Sequence, residues 1–254
     1  MSDLAGKTVL VTGSSKGIGA AIARALGEGG AHLVAHYGQD EAGVRAATAA
    51  VPEDRKLLIA ADLGAPDGPE RLWLEAVAWR GGLDVLVNNA AVMIETPLDS
   101  PVDAWNRVWD ESLRVNVLAP AALMREAVNH FLARGGGALI TLSSWVAQRG
   151  SGSPNLVAYA ATKAAVRSMT QTIARNYARQ GVLAYVVAPG VVRTRMSEAF
   201  AAGAGGEAAV TAGLAMGEWV PPEDVATLVR FLASGRCRHL TGATLDVNGA
   251  SYVR

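Results

Sequence analysis

A phenol and an ammonium group lie four positions apart in the segment YAATK, at Tyr159 and Lys163. Four residues make about one helical turn, so both side chains would leave the same face of a helix. A free tyrosine has a pKa of about 10, and a nearby ammonium group stabilises the phenolate and lowers that pKa. Such a pair could transfer a proton near neutral pH, although in isolation it is more often a surface tyrosine above a surface lysine.

Short apolar runs recur along the whole chain and are typical of strands that are buried on both faces. They begin at Lys7, Ala31, Lys56, Leu83, Gly137, Val182 and Ala243. Segments with helical spacing separate them: one holds Ile18, Ile22 and Leu26, and others start near Asp67, Val102, Val157 and Pro222. This alternation predicts an α/β fold, a doubly wound seven-stranded parallel sheet with helices on both faces, in one domain over residues 1–254.

One segment, at about residues 191–221, has a looser composition than the rest. It is rich in glycine and alanine, yet it contains Phe200, Leu214, Met216 and Trp219. A mobile lid that closes over a site would have this composition, and so would a poorly packed surface helix. We expect a substrate lid here.

The composition excludes several classes of function. The 23 basic and 23 acidic side chains give a net charge of zero, which argues against general affinity for nucleic acid or anionic lipid. The longest apolar run, from Val182, is about half the length that spans a bilayer. The N-terminus has no charged leader before its apolar run, and Cys237 is the sole cysteine, so we expect a cytoplasmic protein without disulfides. The four histidines are scattered and predict no metal site.

A glycine turn, TGSSKGIG, follows the first apolar run and opens the first helix, at residues 12–19. Glycines let the backbone approach a pyrophosphate, and the helix N-terminus offers free N–H groups and the positive end of its dipole. Three residues separate Gly13 from Gly17, so the spacing is not GxGxxG, and the turn lacks the Gly-Lys-Ser/Thr ending of a Walker A loop. The context predicts a dinucleotide site.

Six motifs, in their order along the chain, and the last strand resemble those of the short-chain dehydrogenase/reductase family, over nearly the whole chain. The turn at residues 12–19 resembles the family's TGxxxGIG, and Tyr159 with Lys163 resembles its Tyr-x-x-x-Lys pair. The other matches are NNAA at 88–91, Ser144 after the fifth strand, Asn116 on the preceding helix, Pro189-Gly190 with Thr194, and the final TGATLDVNG. The resemblance implies a single-domain Rossmann fold.

The resemblance also implies an NAD(P)-dependent oxidoreductase that transfers a hydride between nicotinamide and a carbonyl or secondary alcohol. Tyr159 is then the general acid in reduction and the base in oxidation, and Lys163 tunes it and holds the nicotinamide ribose. Ser144 would hydrogen-bond the carbonyl oxygen, and Asn116 would hold a water that links Lys163 to solvent. The dinucleotide site implied by the family comprises Gly13, Ser15, Lys16, Gly17, Ile18, Gly19, Tyr37, Asp62, Leu63, Asn89, Ala90, Tyr159, Lys163, Pro189, Gly190, Val192 and Thr194, the last at the nicotinamide amide.

The second strand bears on the choice of nicotinamide cofactor. NAD-specific members usually end this strand in an acidic residue that binds the adenosine ribose, whereas this chain has Tyr37 there. Lys16 could reach a 2′-phosphate and His36 could assist, which favours NADP(H). Asp40 could bend back to the ribose, so NAD(H) remains an alternative. Asp62 is expected to face the adenine or to cap a helix.

Three departures from the family pattern stand out. Ala91 replaces the last glycine of the NNAG turn, which is tolerable if Ala91 keeps a negative φ. The segment between Ser144 and Tyr159 is longer than in many members, which leaves the shape of the substrate pocket open. Tyr185 stands where many members have asparagine, and we have no functional account of it.

Several substrates and functions remain open at this stage. The C-terminal TGATLDVNG and Arg175 resemble 3-oxoacyl-[acyl-carrier-protein] reductases, in which a matching arginine helps to dock the carrier, so an acyl thioester is one candidate substrate. Sugar, polyol and xenobiotic ketone reductases share the remaining features. A non-enzymatic dinucleotide sensor would typically lack the pair Tyr159 and Lys163, and an epimerase or dehydratase would normally have a longer C-terminal domain.

The helix that starts at Val157 predicts self-association. Family members commonly pair through this helix and the one carrying Asn116, and often through the last strand. Apolar or small residues lie on more than one side of the helix: Ala160, Ala161, Ala164, Val166, Met169 and Ile173. Such a helix needs cover that one sheet cannot supply, so we predict a homotetramer, with a dimer as the fallback. The alternative is that helices of the same chain cover this surface.

Overall fold

Each of the seven apolar runs forms a strand in the computed structural model, which describes residues 2–253. The strands are β1 Thr8–Val11, β2 His32–Tyr37, β3 Lys56–Ala60, β4 Val85–Asn88, β5 Gly137–Leu142, β6 Val182–Pro189 and β7 Thr244–Val247. They form one parallel sheet in the order β3-β2-β1-β4-β5-β6-β7, which confirms the predicted doubly wound α/β fold. The order reverses between β1 and β4, and such a fold binds its ligand at the carboxyl ends of these strands.

Helices connect successive strands and cover both faces of the sheet. They are α1 Gly17–Glu28, α2 Glu41–Ala47, α3 Gly68–Arg80, α4 Val102–Leu113, α5 Ala119–Ala133, α6 Val146–Arg149, α7 Val157–Tyr177, α8 Arg195–Gly203, α9 Glu207–Ala212 and α10 Pro222–Ser234. The four helices predicted near Asp67, Val102, Val157 and Pro222 are all present. A π-helical turn, Arg114–Leu118, joins α4 to α5.

Alternation along the strands divides the core into two layers. Val9 and Val11 of β1 lie in the layer that α1 and α10 cover, together with Ile22 and Val229. Leu10, between them, lies in the opposite layer with residues of α3 and α5. Successive strand residues point to opposite faces, so the continuous apolar runs in the sequence are needed to fill both layers.

Tyr185 of β6 belongs to the layer under α1 and α10 and is fully buried. Its hydroxyl has no hydrogen-bond partner in the protein, and burial raises its pKa. Ala91, the other departure near the sheet, keeps a negative φ, since Ala250 is the described non-glycine residue with a positive one. Neither position adds a group to the site described below.

Helix α7 buries more of its surface within the chain than its sequence suggested. Val166 is 2% exposed, and Met169 and Ile173 pack against the core. Ala161 is exposed, and Ala160 and Ala164 are half-buried. Neighbouring helices therefore cover part of the apolar surface of α7, and a strip of small residues stays accessible.

No helix within residues 2–253 is both long and apolar enough to cross a membrane. The same residues contain no group of three or more histidine, cysteine or carboxylate side chains placed to hold a metal ion. Cys237, half-buried before β7, is a free thiol.

Candidate active site

The first turns of α7 carry Tyr159 and Lys163 on one face, as predicted from their spacing. The Nζ of Lys163 lies 5.7 Å from the centroid of the Tyr159 ring. A 3-10 turn, Pro154–Leu156, leads into the helix, and the Ser153 hydroxyl caps that turn by accepting from the backbone N–H of Asn155. Small residues between the pair leave room beside the ring.

Lys163 is held below the surface by two contacts with the end of β5. It is 5% exposed, and its Nζ donates a hydrogen bond of 2.9 Å to the carbonyl of Leu142. The hydroxyl of Ser143 donates to the Lys163 carbonyl at 2.8 Å. Because burial disfavours the charged form, the pKa of Lys163 falls to about 8.

Tyr159 is half-buried and borders the cavity that is described below. Desolvation raises the pKa of Tyr159 to about 12, although a hydrogen bond with the Ser144 side chain acts in the opposite direction. The expectation that Lys163 lowers this pKa is not met in this structure. The ammonium group is engaged with Leu142 and is itself disfavoured by burial, so desolvation decides the protonation of the phenol.

Asn116 lies in the π-helical turn and holds the loop after β4 against α7. Its Oδ1 accepts from the Val92 N–H at 2.8 Å. Its Nδ2 donates to the Val92 carbonyl at 2.8 Å and to the Thr162 hydroxyl at 3.1 Å. Both amide hydrogens are therefore committed to protein partners, and the side chain positions other groups. That Asn116 holds a water stays a prediction. The π-helical turn around it changes the helical hydrogen-bond pattern, and such turns are frequent at functional sites.

Thr162, which the sequence reasoning did not single out, connects Asn116 to the catalytic pair. Its hydroxyl accepts from Asn116 and donates to the backbone carbonyl of Tyr159 at 2.8 Å. Thr162 is 1% exposed. The only sequence indication was a threonine next to Lys163 in an otherwise Ala-rich turn.

The glycine turn has the geometry that a pyrophosphate requires. Gly13 and Gly17 have φ angles of 71° and 55°, which disfavour other residues. A Cβ on Gly19 would lie 1.9 Å from the Gly13 carbonyl oxygen, so only glycine permits this close approach. No side chain caps the N-terminus of α1, and its free N–H groups therefore fit an anionic ligand.

Thr12 fastens the glycine turn to the NNAA segment and was also missed from the sequence. Its hydroxyl accepts from the N–H groups of Asn89 and Ala90 at 2.9 and 3.0 Å. The Asn89 side chain donates back to the Thr12 and Gly13 carbonyls at 2.9 and 3.1 Å. These bonds place Asn89 and Ala90 beside the turn, where the family resemblance expects them.

His36 is buried and does not reach the surface, where it would have to lie to bind a 2′-phosphate. It is 2% exposed, and its two ring nitrogens contact the Gly13 N–H and the Ala61 carbonyl, each at 3.0 Å. Lys16 is exposed and Tyr37 is half-buried. Burial and saturated hydrogen bonding thus exclude His36 as a phosphate ligand and leave Lys16 free to act.

The two carboxylates near the adenosine end both make local hydrogen bonds: Asp40 caps a helix, whereas Asp62 closes a turn and caps no helix. Asp40 caps α2 through a hydrogen bond of 2.8 Å from the Gly43 N–H. Asp62 accepts from the Gly64 N–H at 2.8 Å, and Leu63 beside it is buried. Capping of α2 opposes a turn of Asp40 toward a ribose. The local bond of Asp62 leaves its second oxygen available for the adenine contact.

A cavity of about 560 Å³ joins the catalytic residues to part of the predicted cofactor site. Ser144 and Tyr159 border it on one side. The cofactor residues that border it are Ile18, Pro189, Gly190, Val192 and Thr194. A Cβ on Gly190 would lie 2.8 Å from the Asn248 side chain, so Pro189-Gly190 packs tightly under β7. The shared cavity fits a nicotinamide that meets its substrate in front of Tyr159.

Two further segments complete the walls of the cavity. The long connection between Ser144 and Tyr159 folds into α6 and the 3-10 turn, and it supplies Trp145, Val146, Arg149 and Leu156. The Thr96 N–H donates to the Asn155 carbonyl at 2.9 Å, which ties this connection to the loop after β4. Residues 191–221 contribute the opposite wall through Met196, Phe200, Val210 and Leu214.

Comparisons with known proteins identify the family of the chain. A family profile described as enoyl-(acyl carrier protein) reductase matches residues 13–250. The chain is 38% identical to 3beta-hydroxysteroid dehydrogenase 1 of Eggerthella lenta over 257 residues, covering 97% of this chain and 94% of that protein. It is 33% identical over 253 residues to the 3-oxoacyl-[acyl-carrier-protein] reductase FabG of Staphylococcus aureus, covering 97% and 98%.

The solved structures give the same assignment. A short-chain dehydrogenase from Burkholderia cenocepacia in complex with NADP superimposes with a TM-score of 0.87 at 32% identity, over 98% of this chain and 99% of that one. The chain therefore belongs to the short-chain dehydrogenase/reductase family, whose oxidoreductases transfer a hydride between a nicotinamide cofactor and a carbonyl or alcohol.

Proposed function

We propose that the protein is an NADP(H)-preferring oxidoreductase for a bulky, mainly apolar ketone or secondary alcohol. The cavity of about 560 Å³ beside Tyr159 carries this proposal, because cavities of this size enclose drug-sized molecules. Among the described residues, Glu95 and Arg149 are the charged side chains that line it. Its apolar lining includes Met93, Trp145, Val146, Leu156, Met196, Phe200, Val210 and Leu214.

The chain supplies position and a proton, and the nicotinamide supplies or accepts the hydride when it is bound. In reduction, the Tyr159 hydroxyl gives its proton to the carbonyl oxygen as that oxygen gains negative charge. Ser144 donates a hydrogen bond to the same oxygen and stabilises its charge. Lys163 would hold the nicotinamide ribose hydroxyls, and Asn116 with Thr162 keeps α7 in place.

The adenosine end supports a preference for NADP(H). Lys16 is exposed on the glycine turn, where its ammonium group can meet a 2′-phosphate. Tyr37 ends β2 in place of a ribose-binding carboxylate, and Asp40 is engaged at the cap of α2. The dinucleotide ligands are otherwise those predicted from the sequence, from Gly13 to Thr194.

The coenzyme preference is tested by fluorescence titration with NADPH and NADH. The protein should bind NADPH more tightly, and Lys16→Ala should narrow the difference. Arg24→Ala is the matched control, since it removes a positive charge from an exposed side chain further along α1, where Arg24 pairs with Glu223 at 3.8 Å. Equal affinities for the two cofactors in the parent protein would contradict the proposed contact between Lys16 and the 2′-phosphate of NADP(H).

Residues 191–221 are proposed to act as a lid over the substrate. A backbone bridge between Val192 and Val220 joins the two ends of this segment, so movement would be confined to α8 and α9 between them. An exposed ion pair of 2.9 Å joins Arg193, two residues before α8, to Glu207 at the start of α9. Closure would bring the apolar side chains of both helices onto the substrate and exclude water.

The apolar lining favours a ring-sized or long-chain ketone over a sugar or polyol. Sugars need many hydrogen-bonding groups around the reacting carbon, and the lid here supplies mainly apolar surface. The relative from Eggerthella lenta is named for a steroid substrate, and the one from Staphylococcus aureus for an acyl thioester. A 3-oxoacyl thioester remains the second candidate, because Arg175 is exposed on α7 and could meet an acidic carrier.

A panel of carbonyl compounds, each assayed with NADPH and NADH by nicotinamide absorbance, tests the substrate class. Bulky ring ketones should give kcat/KM values at least about tenfold above those of sugars and polyols. Met196→Ala should raise KM for the bulky ketone several-fold, whereas Met216→Ala, in the same segment but outside the cavity, should not. A clear preference for sugars or polyols would overturn the proposed substrate class.

Two broader features belong to the proposal. We infer a cytoplasmic enzyme, because the one cysteine of the chain is unpaired and a reducing compartment suits it. We also infer a homotetramer that acts on small molecules, without nucleic acid or membrane partners.

A further inference from the structure

His36 connects two loops that flank the adenosine end of the site. Its Nδ1 accepts from the Gly13 N–H at 3.0 Å, and its Nε2 lies 3.0 Å from the Ala61 carbonyl oxygen. The backbone strengthens the first link, since the Ser14 N–H donates to the His36 carbonyl at 2.8 Å. Gly13 begins the glycine turn, and Ala61 immediately precedes Asp62, so one side chain bridges both loops.

The partners of His36 require the neutral imidazole. The Gly13 N–H can only donate, so Nδ1 must carry a lone pair, and the Ala61 carbonyl can only accept, so Nε2 must carry the hydrogen. A single neutral tautomer satisfies both demands, and the imidazolium satisfies one. Because His36 is 2% exposed, a proton on Nδ1 would face the Gly13 N–H without water to accept it.

The surroundings of His36 keep it neutral through burial. Burial lowers the pKa of His36, and the hydrogen bond with Ala61 acts in the opposite direction. No charged neighbour contributes to this change in the pKa of His36. The other titratable groups at this end are all exposed or half-buried. They lie on the glycine turn, β2, the α2 cap, the loop after β3 and the start of α3: Lys16, Tyr37, Asp40, Asp62 and Asp67.

We propose that His36 is a positioning residue for the dinucleotide, whose neutral ring holds the glycine turn and the loop after β3 at the separation that the cofactor needs. This inference rests on the proposed function, since it places a nicotinamide dinucleotide on the turn. Protonation of His36 at Nδ1 would place its N–H against the Gly13 N–H, so the hydrogen bond that holds the glycine turn would be lost. Dinucleotide affinity therefore falls as the pH drops through the pKa of His36 in the free protein, which burial places below 6.5, the ordinary pKa of histidine.

The test compares NADP⁺ and NAD⁺ binding between pH 7.5 and pH 5 in the parent protein and two variants, by quenching of tryptophan fluorescence. His36→Asn keeps an acceptor near the position of Nδ1 and cannot be protonated. His36→Phe keeps the ring shape and loses both hydrogen bonds. The 2′-phosphate of NADP⁺ also titrates near pH 6, but it does so equally in every protein, so the ratio of affinities isolates His36.

The parent should lose at least about threefold more affinity than His36→Asn over this range. At pH 7.5, His36→Phe should bind about fivefold more weakly than the parent, the scale of one backbone hydrogen bond. His130→Asn is the matched control, because His130 also accepts a backbone N–H, from Leu83 at 3.0 Å, and burial also lowers its pKa. His130 lies near the end of α5, and its partner Leu83 precedes β4 at the amino end of the strands, so this variant should keep the parent's pH profile.

Identical pH profiles for the parent and His36→Asn would overturn the role of His36 and leave the proposed function intact. This comparison decides the matter even if His36→Phe fails to fold. A folded parent protein that binds neither NADP⁺ nor NAD⁺ at any pH would instead overturn the proposed function, and the inference with it.

Discussion

At the scale of single residues, burial acts on Tyr159 and Lys163 in opposite directions. It raises the pKa of the phenol to about 12 and lowers that of the ammonium group to about 8, so both neutral forms are favoured. At neutral pH the phenol therefore holds its proton and is ready to donate it to a carbonyl oxygen. Oxidation needs the phenolate, which has to gain stabilisation from charges that arrive with the cofactor.

Tyr159→Phe removes the proton donor and keeps the ring. We expect turnover to fall by at least about a hundredfold, the usual scale of general acid–base catalysis, while NADPH affinity stays within about twofold. Tyr177→Phe, at the far end of the same helix, is the control and should retain full activity. A Tyr159→Phe enzyme that keeps most of its activity on the identified substrate would rule out the assigned mechanism.

Lys163→Met should stabilise the protein while it weakens catalysis. The folded-state pKa of Lys163 is lowered from 10.5 to about 8, so protonation favours the unfolded chain as pH falls from 10.5 to 8. At pH 7.5 the substitution should raise the unfolding free energy by about 2 kcal/mol, from a shift of about 3 kcal/mol less about 1 kcal/mol for the lost bond to Leu142.

This gain should shrink as the pH rises from 8 and be nearly gone at about pH 10, because Lys163 is then neutral in the folded protein and close to its unfolded pKa of 10.5. Urea denaturation of the parent and the variant at pH 7.5 and pH 10 measures it. A stability difference that does not change between these two pH values would show that Lys163 keeps its ordinary pKa in the folded protein.

At the scale of elements, the site depends on contacts between segments that are distant in sequence. The π-helical turn presents Asn116 to the loop after β4 and to α7 at the same time. Thr12 joins the glycine turn to Asn89, and the connection before α7 joins the loop after β4 through Asn155 and Thr96. Each joint fixes a loop at the carboxyl edge of the sheet, where the cofactor and substrate meet.

Asn116→Ala should disturb the geometry of the site at the carboxyl edge of the sheet while the overall fold is kept. It leaves the Val92 N–H and carbonyl without their partner, and an unsatisfied buried group costs about 1–3 kcal/mol. We expect kcat to fall at least about tenfold with a smaller change in NADPH affinity, because the glycine turn is held separately. Asn176→Ala, on the exposed end of α7, is the control. Unchanged kinetics in Asn116→Ala would show that Asn116 is dispensable for the geometry of the site.

At the scale of the whole molecule, the accessible surface of α7 and its neighbours indicates an interface. Ala161 is exposed, and Leu113 and Leu118, around the π-helical turn, are 38% and 61% exposed. Small and apolar residues on adjacent helices let two such surfaces approach closely in a symmetric contact. The area is smaller than the sequence suggested, because Val166, Met169 and Ile173 pack within the chain.

Light scattering at micromolar concentration should give the mass of a tetramer, with a dimer as the fallback. Ala161→Glu should reduce the assembly, because it places a charge in the centre of the contact. Ala202→Glu, on the exposed side of α8, should not. A monomer mass for the parent protein would refute the interface and return α7 to an ordinary covering helix.

The sequence alone predicted the sheet, five of the helices and the candidate catalytic pair. Continuous apolar runs, glycine spacing and the four-residue separation of Tyr159 and Lys163 are local properties, and local geometry follows from them directly. The resemblance to a known family then ordered those motifs along a common fold.

The tertiary structure alone decided the protonation and the partners of these groups. Burial, not the charge of Lys163, sets the pKa of Tyr159, and burial makes His36 a bridge between loops. Thr12 and Thr162 gained roles because the fold brings together residues that are 46 to 78 positions apart. Solvation and long-range hydrogen bonds depend on what the rest of the chain places around a residue, which no local pattern specifies.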